Sequence, residues 1–146
     1  MIETREYQDG DMEYVRLNPF QDEVKAYPEM IVPENSYTCV YNGEIVAVGG
    51  IRVFREGFGE AWVILTKQSR KDGIFGLIAC RAIENKLNEL IDGLKMCRVE
   101  ANVRADFGKA LRFTEAIGFK RDCERKNFFP GGVSAILYSK VNDEYI

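Results

Sequence analysis

Apolar and polar positions change period several times along the chain. Residues 2–7 predict a weak first strand, and Asp9-Gly10-Asp11 predicts a cap for a short helix over 12–17. Asn18-Pro19 offers a second helix start, an N-cap followed by proline at the first helical position. Phe20, Val24 and Tyr27 then recur at helical spacing as far as Pro28. Residues 36–41 read as a strand, Asn42-Gly43 as the favoured two-residue hairpin turn, and 44–54 as the returning strand. Ile45, Ala47, Gly49, Ile51 and Val53 mark one face of that strand. A glycine-bearing loop over 55–59 leads to residues 61–66, apolar on both faces as expected of a central strand.

Next comes the longest helical pattern: Phe75, Ala79, Ile83, Leu87, Leu90 and Leu94 recur in steps of four and three, with Gly93 near the end. Residues 97–103 predict a strand. Asp106 is placed to cap a helix over 107–117, and Gly118 stands just past its end. Two strands, 120–129 and 133–141, close the chain around Pro130-Gly131-Gly132. The expected order is strand, two short helices, three strands, helix, strand, helix, two strands. That order predicts an α/β domain spanning 1–146, a mixed sheet with helices packed on it.

Composition removes several function classes. The 20 basic and 23 acidic side chains leave a net charge of -3, so no basic face for nucleic acid is implied. No apolar run approaches the roughly 18 residues of a membrane span, and the acidic start is unlike a signal peptide, which points to the cytoplasm. Four separated cysteines with no CxxC pair predict reduced thiols and no metal. The chain has no histidine, which excludes hydrolases built on a histidine base and histidine-liganded metal centres. Chemistry must run on carboxylate, tyrosine, hydroxyl, thiol, lysine, arginine or backbone groups.

One segment suggests a ligand. Between the expected central strand and the long helix lie Arg70, Lys71, Asp72, Gly73, Ile74, Phe75 and Gly76. Cationic side chains and glycines at a strand-to-helix turn suit an anion, because the first helical N–H groups are unpaired and the dipole favours negative charge. Solvated loop charge would give the same composition.

Here the chain resembles the GNAT superfamily of N-acetyltransferases over nearly its whole length. The family's coenzyme A loop runs arginine or glutamine, two residues, glycine, one residue, glycine or alanine. Arg70 and Gly73 match it, whereas Phe75 stands where a small residue is usual and Gly76 follows. The helix ending Leu111-Arg112-Phe113-Thr114-Glu115-Ala116-Ile117-Gly118-Phe119 is similar to the family's second signature. The resemblance implies a mostly antiparallel mixed sheet of about seven strands and about four helices, with a splayed parallel pair at the coenzyme cleft. It also implies acetyl-CoA as co-substrate and an amine as acceptor.

Ile64, Leu65 and Thr66 would then pair with the pantetheine arm, and Arg70 to Gly76 would hold the pyrophosphate. The tyrosine that often protonates the departing thiolate would fall at Thr114, and a frequent asparagine at Phe107. Glu60 is the first candidate base and Glu100 the second, while Tyr138 is the tyrosine that can replace the missing acid or simply pack in the sheet.

A narrower resemblance, carried by residues 59–66, 104–107 and 128–138, is to GNAT-like proteins of tailed bacteriophages. It implies an alternative in which catalysis is lost and the fold serves as a virion or host-interaction module, in a virion or host cytoplasm. The residues do not define the oligomeric state, and a homodimer is among the options.

Overall fold

The computed structural model of the chain describes residues 2–20, 34–69 and 77–146, and of 77–79 the backbone only. Seven strands form one sheet in the order β1-β2-β3-β4-β5-β7-β6. They are β1 (Ile2–Glu6), β2 (Ser36–Tyr41), β3 (Glu44–Arg55), β4 (Phe58–Leu65), β5 (Arg98–Arg104), β6 (Lys120–Phe129) and β7 (Val133–Val141). Three helices are described: α1 (Asp11–Leu17), α2 (Leu77–Leu94) and α3 (Gly108–Ala116). Among the described residues the mixed sheet is present and the elements follow the expected order. The second short helix expected over 20–27 lies outside the described residues, apart from Phe20. So does the whole run Arg70, Lys71, Asp72, Gly73, Ile74, Phe75 and Gly76.

The backbone divides into two compact units, Met1–Arg52 with Trp62–Leu90, and Val53–Ala61 with Ile91–Ile146. In the first, β1 pairs antiparallel with β2 and β2 with β3. Asn42 and Gly43 both take positive φ (50° and 79°), the turn whose twist matches antiparallel strands. Tyr37, Cys39, Val46, Ala47, Val48, Ile51, Ile83 and Leu87 are buried in this unit. Gly49 and Gly50 allow close packing: a methyl group at Gly49 would sit 2.7 Å from the Tyr37 hydroxyl and 2.8 Å from the Trp62 carbonyl oxygen.

Several local expectations are corrected. Asp11 does not cap α1; its N-cap is Gly10, without a side-chain bond. The Asp11 carboxylate is buried and accepts from Arg5 Nη1 and Nη2 (2.9 and 3.0 Å), Thr38 Oγ1 (2.7 Å) and the Gln8 amide (2.9 Å). Asn18 closes α1 instead of opening a helix, its side-chain amide donating to the Tyr14 carbonyl at 2.9 Å. Pro19 forms an antiparallel bridge with Thr66, so it does not sit in a first helical turn. β4 starts at Phe58, three residues earlier than expected, because Glu56 and Gly57 make a tight turn in which Gly57 takes φ 80°. Val53 is exposed, so the buried face of β3 ends at Ile51.

Asp11 gives a stability prediction. Burial alone would raise its pKa, but the bonds from Arg5, Thr38 and the Gln8 amide outweigh that and hold it below the ordinary value. A depressed folded-state value means the contribution is complete above the unfolded carboxyl's pKa and is lost as pH falls through the folded one. Asp11→Ala is expected to cost about 2–3 kcal/mol at neutral pH, since three donors lose a charged acceptor. Urea unfolding from neutral into acid conditions checks this: the difference between wild type and variant should shrink with falling pH.

In the second unit β5 pairs antiparallel with β7, and β7 with β6. Val99, Ala101, Ile117, Phe119, Ile136 and Tyr138 are buried here. Gly118 (φ 100°) ends α3 as expected. Asp106 does not cap α3; its carboxylate takes a two-pronged bond from Arg104 at 3.0 Å each, and Phe107 is the N-cap. β6 is the exposed edge strand. Its charged run from Lys120 to Lys126 and two register breaks against β7 discourage strand addition.

Candidate active site

β4 and β5 are parallel, with Phe58, Gly59 and Glu60 in register with Arg98, Val99 and Glu100. Among the described residues their ladder ends at Glu60 and Glu100, although each strand runs on, to Leu65 and to Arg104. Alternation then sorts the β5 side chains. Val99, Ala101 and Val103 point to one face, Arg98, Glu100, Asn102 and Arg104 to the other. Glu60, in register with Glu100, shares the polar face, and the Asn102 side-chain amide donates to Glu60 Oε2 at 2.5 Å.

The other carboxylate of this face is already engaged. Glu100 accepts from Arg98 Nε at 2.9 Å and lies 3.9 Å from Arg125 Nη2, while Arg98 also reaches Asp122 at 2.8 Å. The Arg98 guanidinium holds the Asp122 carboxyl below its usual range. Glu100 is thus neutralised by two arginines, whereas Asn102 is the one hydrogen-bond partner of Glu60 among the described residues.

Tyr138 is not brought to Glu60. It stands opposite Ala101, hence on the other face of β5 and β7, and its hydroxyl donates to Glu115 Oε2 of α3 at 2.8 Å. Burial, aided by Glu115, pushes its phenol up to about 12. Thr114, beside it on α3, is buried and turns its hydroxyl back to the Ala110 carbonyl at 2.7 Å. Tyr138→Phe is expected to lower stability by about 1 kcal/mol through loss of this bond. The tyrosine stays neutral to well above physiological pH, so the variant's pH–rate profile should match that of wild type. Thermal unfolding and a pH–rate profile check both points.

Of the three residues expected along a pantetheine arm, Thr66 is fully used. Its amide donates to the Val46 carbonyl (3.0 Å), its hydroxyl to the Ile45 carbonyl (2.7 Å), and its own carbonyl accepts from Ser69. The backbone of Thr66 therefore faces β3. In an extended strand alternate residues turn their N–H and C=O the same way. Ile64 then also faces β3, while Val63 and Leu65 turn theirs away from it. Residues 61–65 are each only partly buried, so apolar surface stays accessible along this half of β4. Sequence reasoning missed two positions here. Val63 is found from strand parity, and Asn102 had a readable signal in the polar alternation of 98, 100, 102 and 104.

No family model matches the chain, and no curated protein matches it by sequence. Solved structures do. Ard1 from Thermoplasma volcanium superposes with TM-score 0.76 at 18% identity, over 96% of this chain and 97% of that one. An acetyltransferase described as putative, yncA from Salmonella typhimurium with its cofactor acetyl-CoA, gives 0.73 at 10% identity, over 98% and 95%. A chimeric spermidine N-acetyltransferase from Vibrio cholerae gives 0.72 at 14%, over 99% and 97%. The chain therefore has the GNAT fold, the fold of a family of acetyltransferases. Among the described residues no side-chain group could hold a metal ion, and no helix is long and apolar enough to cross a membrane.

Proposed function

We propose that the chain is an acetyl-CoA-dependent N-acyltransferase in which Glu60 takes the proton of the acceptor amine. The observation that carries this reading is the end of the β4–β5 ladder at Glu60. A carboxylate not neutralised by any described cation stands there, hydrogen-bonded to Asn102. The N–H and C=O groups of Val63 and Leu65, turned away from β3 by strand parity, suit the amides of a pantetheine arm, and the partly buried apolar residues of β4 suit its methylenes. Arg70, Lys71, Asp72, Gly73, Ile74, Phe75 and Gly76 supply the charge and glycines for the pyrophosphate. When bound, the coenzyme supplies an acetyl thioester.

The acceptor arrives as an ammonium with a reference pKa of about 10.4 if it is of the lysine type, so it must lose a proton before attack. Glu60 accepts that proton. The freed lone pair then forms the C–N bond, the C–S bond breaks with its electron pair going to sulfur, and the second nitrogen proton passes through solvent to the thiolate. An outward-facing N–H of β4 polarises the thioester carbonyl as a fixed dipole. Thr114, with its hydroxyl held by Ala110, is no proton donor, so the thiolate leaves without a dedicated acid.

That missing acid favours a second reading, in which the fold binds a virion or host partner and does not turn over. Thiol release from acetyl-CoA over a panel of small amines and free-amino peptides decides between them. Amine-dependent release supports the enzyme. Its absence, with no coenzyme binding, supports the module.

A further inference from the structure

Asn102 and Glu60 form a polar pair that leaves a buried acceptor unsatisfied. Asn102 Nδ2 donates one N–H to Glu60 Oε2, and its Oδ1 is buried with no hydrogen-bond partner among the described residues. Turning the carboxamide over would set Oδ1 against the carboxylate, so the charge on Glu60 fixes the orientation. Glu60 retains Oε1 and the outer lone pairs of Oε2. A buried amide oxygen left without a donor is destabilising, and that cost is recovered when a donor arrives. The complement of two open acceptors, Asn102 Oδ1 and Glu60 Oε1, is a group with several donors, and a primary ammonium carries three N–H donors and no lone pair. A hydroxyl or thiol offers a single donor and brings lone pairs toward the carboxylate.

Resting on the acyltransferase reading, we propose that Asn102 is a positioning residue that recognises the acceptor as an ammonium, its Oδ1 accepting one N–H while Glu60 accepts another. Oδ1 is covered in the free chain, so the carboxamide tilts to admit the amine while Nδ2 stays on Glu60, along a terminal torsion that is soft in asparagine. Two bonds from one nitrogen fix its direction as well as its place, so the lone pair left after proton transfer to Glu60 has one orientation.

Two variants and one spectroscopic titration test this. Asn102→Leu removes both the donor and the acceptor; the KM for amine should rise about 10-fold or more while acetyl-CoA affinity is unchanged. Asn102→Asp keeps an acceptor at the Oδ1 position, so its amine KM should recover toward that of wild type. It places two carboxylates together, however, and one of them holds its proton to higher pH. The acidic limb of its rate profile should therefore move alkaline, which a merely structural role would not produce. Butylamine titrated into wild type should shift the Asn102 side-chain amide signals in nitrogen–proton NMR spectra.

An Asn102→Leu variant with wild-type amine KM and intact coenzyme binding overturns the proposal. So does an Asn102 signal that stays fixed up to millimolar butylamine. A wild type that neither binds acetyl-CoA nor releases thiol sinks the acyltransferase reading instead, and the butylamine titration then decides on Asn102 by itself.

Discussion

Glu60→Gln is expected to lower kcat/KM for the acceptor amine by about 10²–10⁴-fold, the usual contribution of a positioned general base. The substitution keeps the size of the side chain and an oxygen able to accept from Asn102, so the fold and coenzyme affinity should be unchanged. What disappears is the group that takes the proton. Raising the pH supplies more neutral amine from solution, so the variant should recover part of its activity in alkaline buffer while wild type gains less. Steady-state rates across pH, with calorimetry as the binding control, check this. A glutamine variant as active as wild type near neutral pH would remove Glu60 from the mechanism.

Leu65→Pro is expected to weaken acetyl-CoA binding by about 10²-fold or more, through one lost backbone donor and a changed strand path. The Leu65 N–H turns away from β3, so proline there removes no bond of the β3–β4 ladder, and the cost in stability should resemble that of proline at a strand edge. Ile64→Pro is the contrasting control, because its N–H faces β3 and its loss should unfold the sheet locally. If both variants bind coenzyme as wild type does, the β4 backbone is not where the pantetheine arm lies.

The strands were readable from sequence because each carries its own signal: Asn42-Gly43 for the first hairpin, Pro130-Gly131-Gly132 for the last, and the apolar run of β4. Caps were less readable. Asp11 and Asp106 each stand where a helix cap belongs, yet Arg5 and Arg104 take their carboxylates. Local spacing shows a capping residue but not a distant guanidinium competing for it.

At the site, Glu60 could be picked out as a carboxylate before a central strand. Its bond to Asn102 joins positions 42 apart, and only strand register brings them together. The same register separates Tyr138 from Glu60, since a side chain's face depends on which residue of β5 it stands opposite. Thr66 continues the pattern of β4, but its amide is committed to Val46, and strand alternation then turns the backbone groups of Val63 and Leu65 away from β3.

In the proposed function acetyl-CoA lies along β4 and Glu60 receives the proton of the acceptor amine. Calorimetric titration of acetyl-CoA into the purified chain tests it most directly. Saturable single-site binding is expected, preserved in Glu60→Gln and weakened by about 10²-fold or more in Leu65→Pro. No heat of binding at millimolar acetyl-CoA, from wild-type protein shown to be folded, would contradict it.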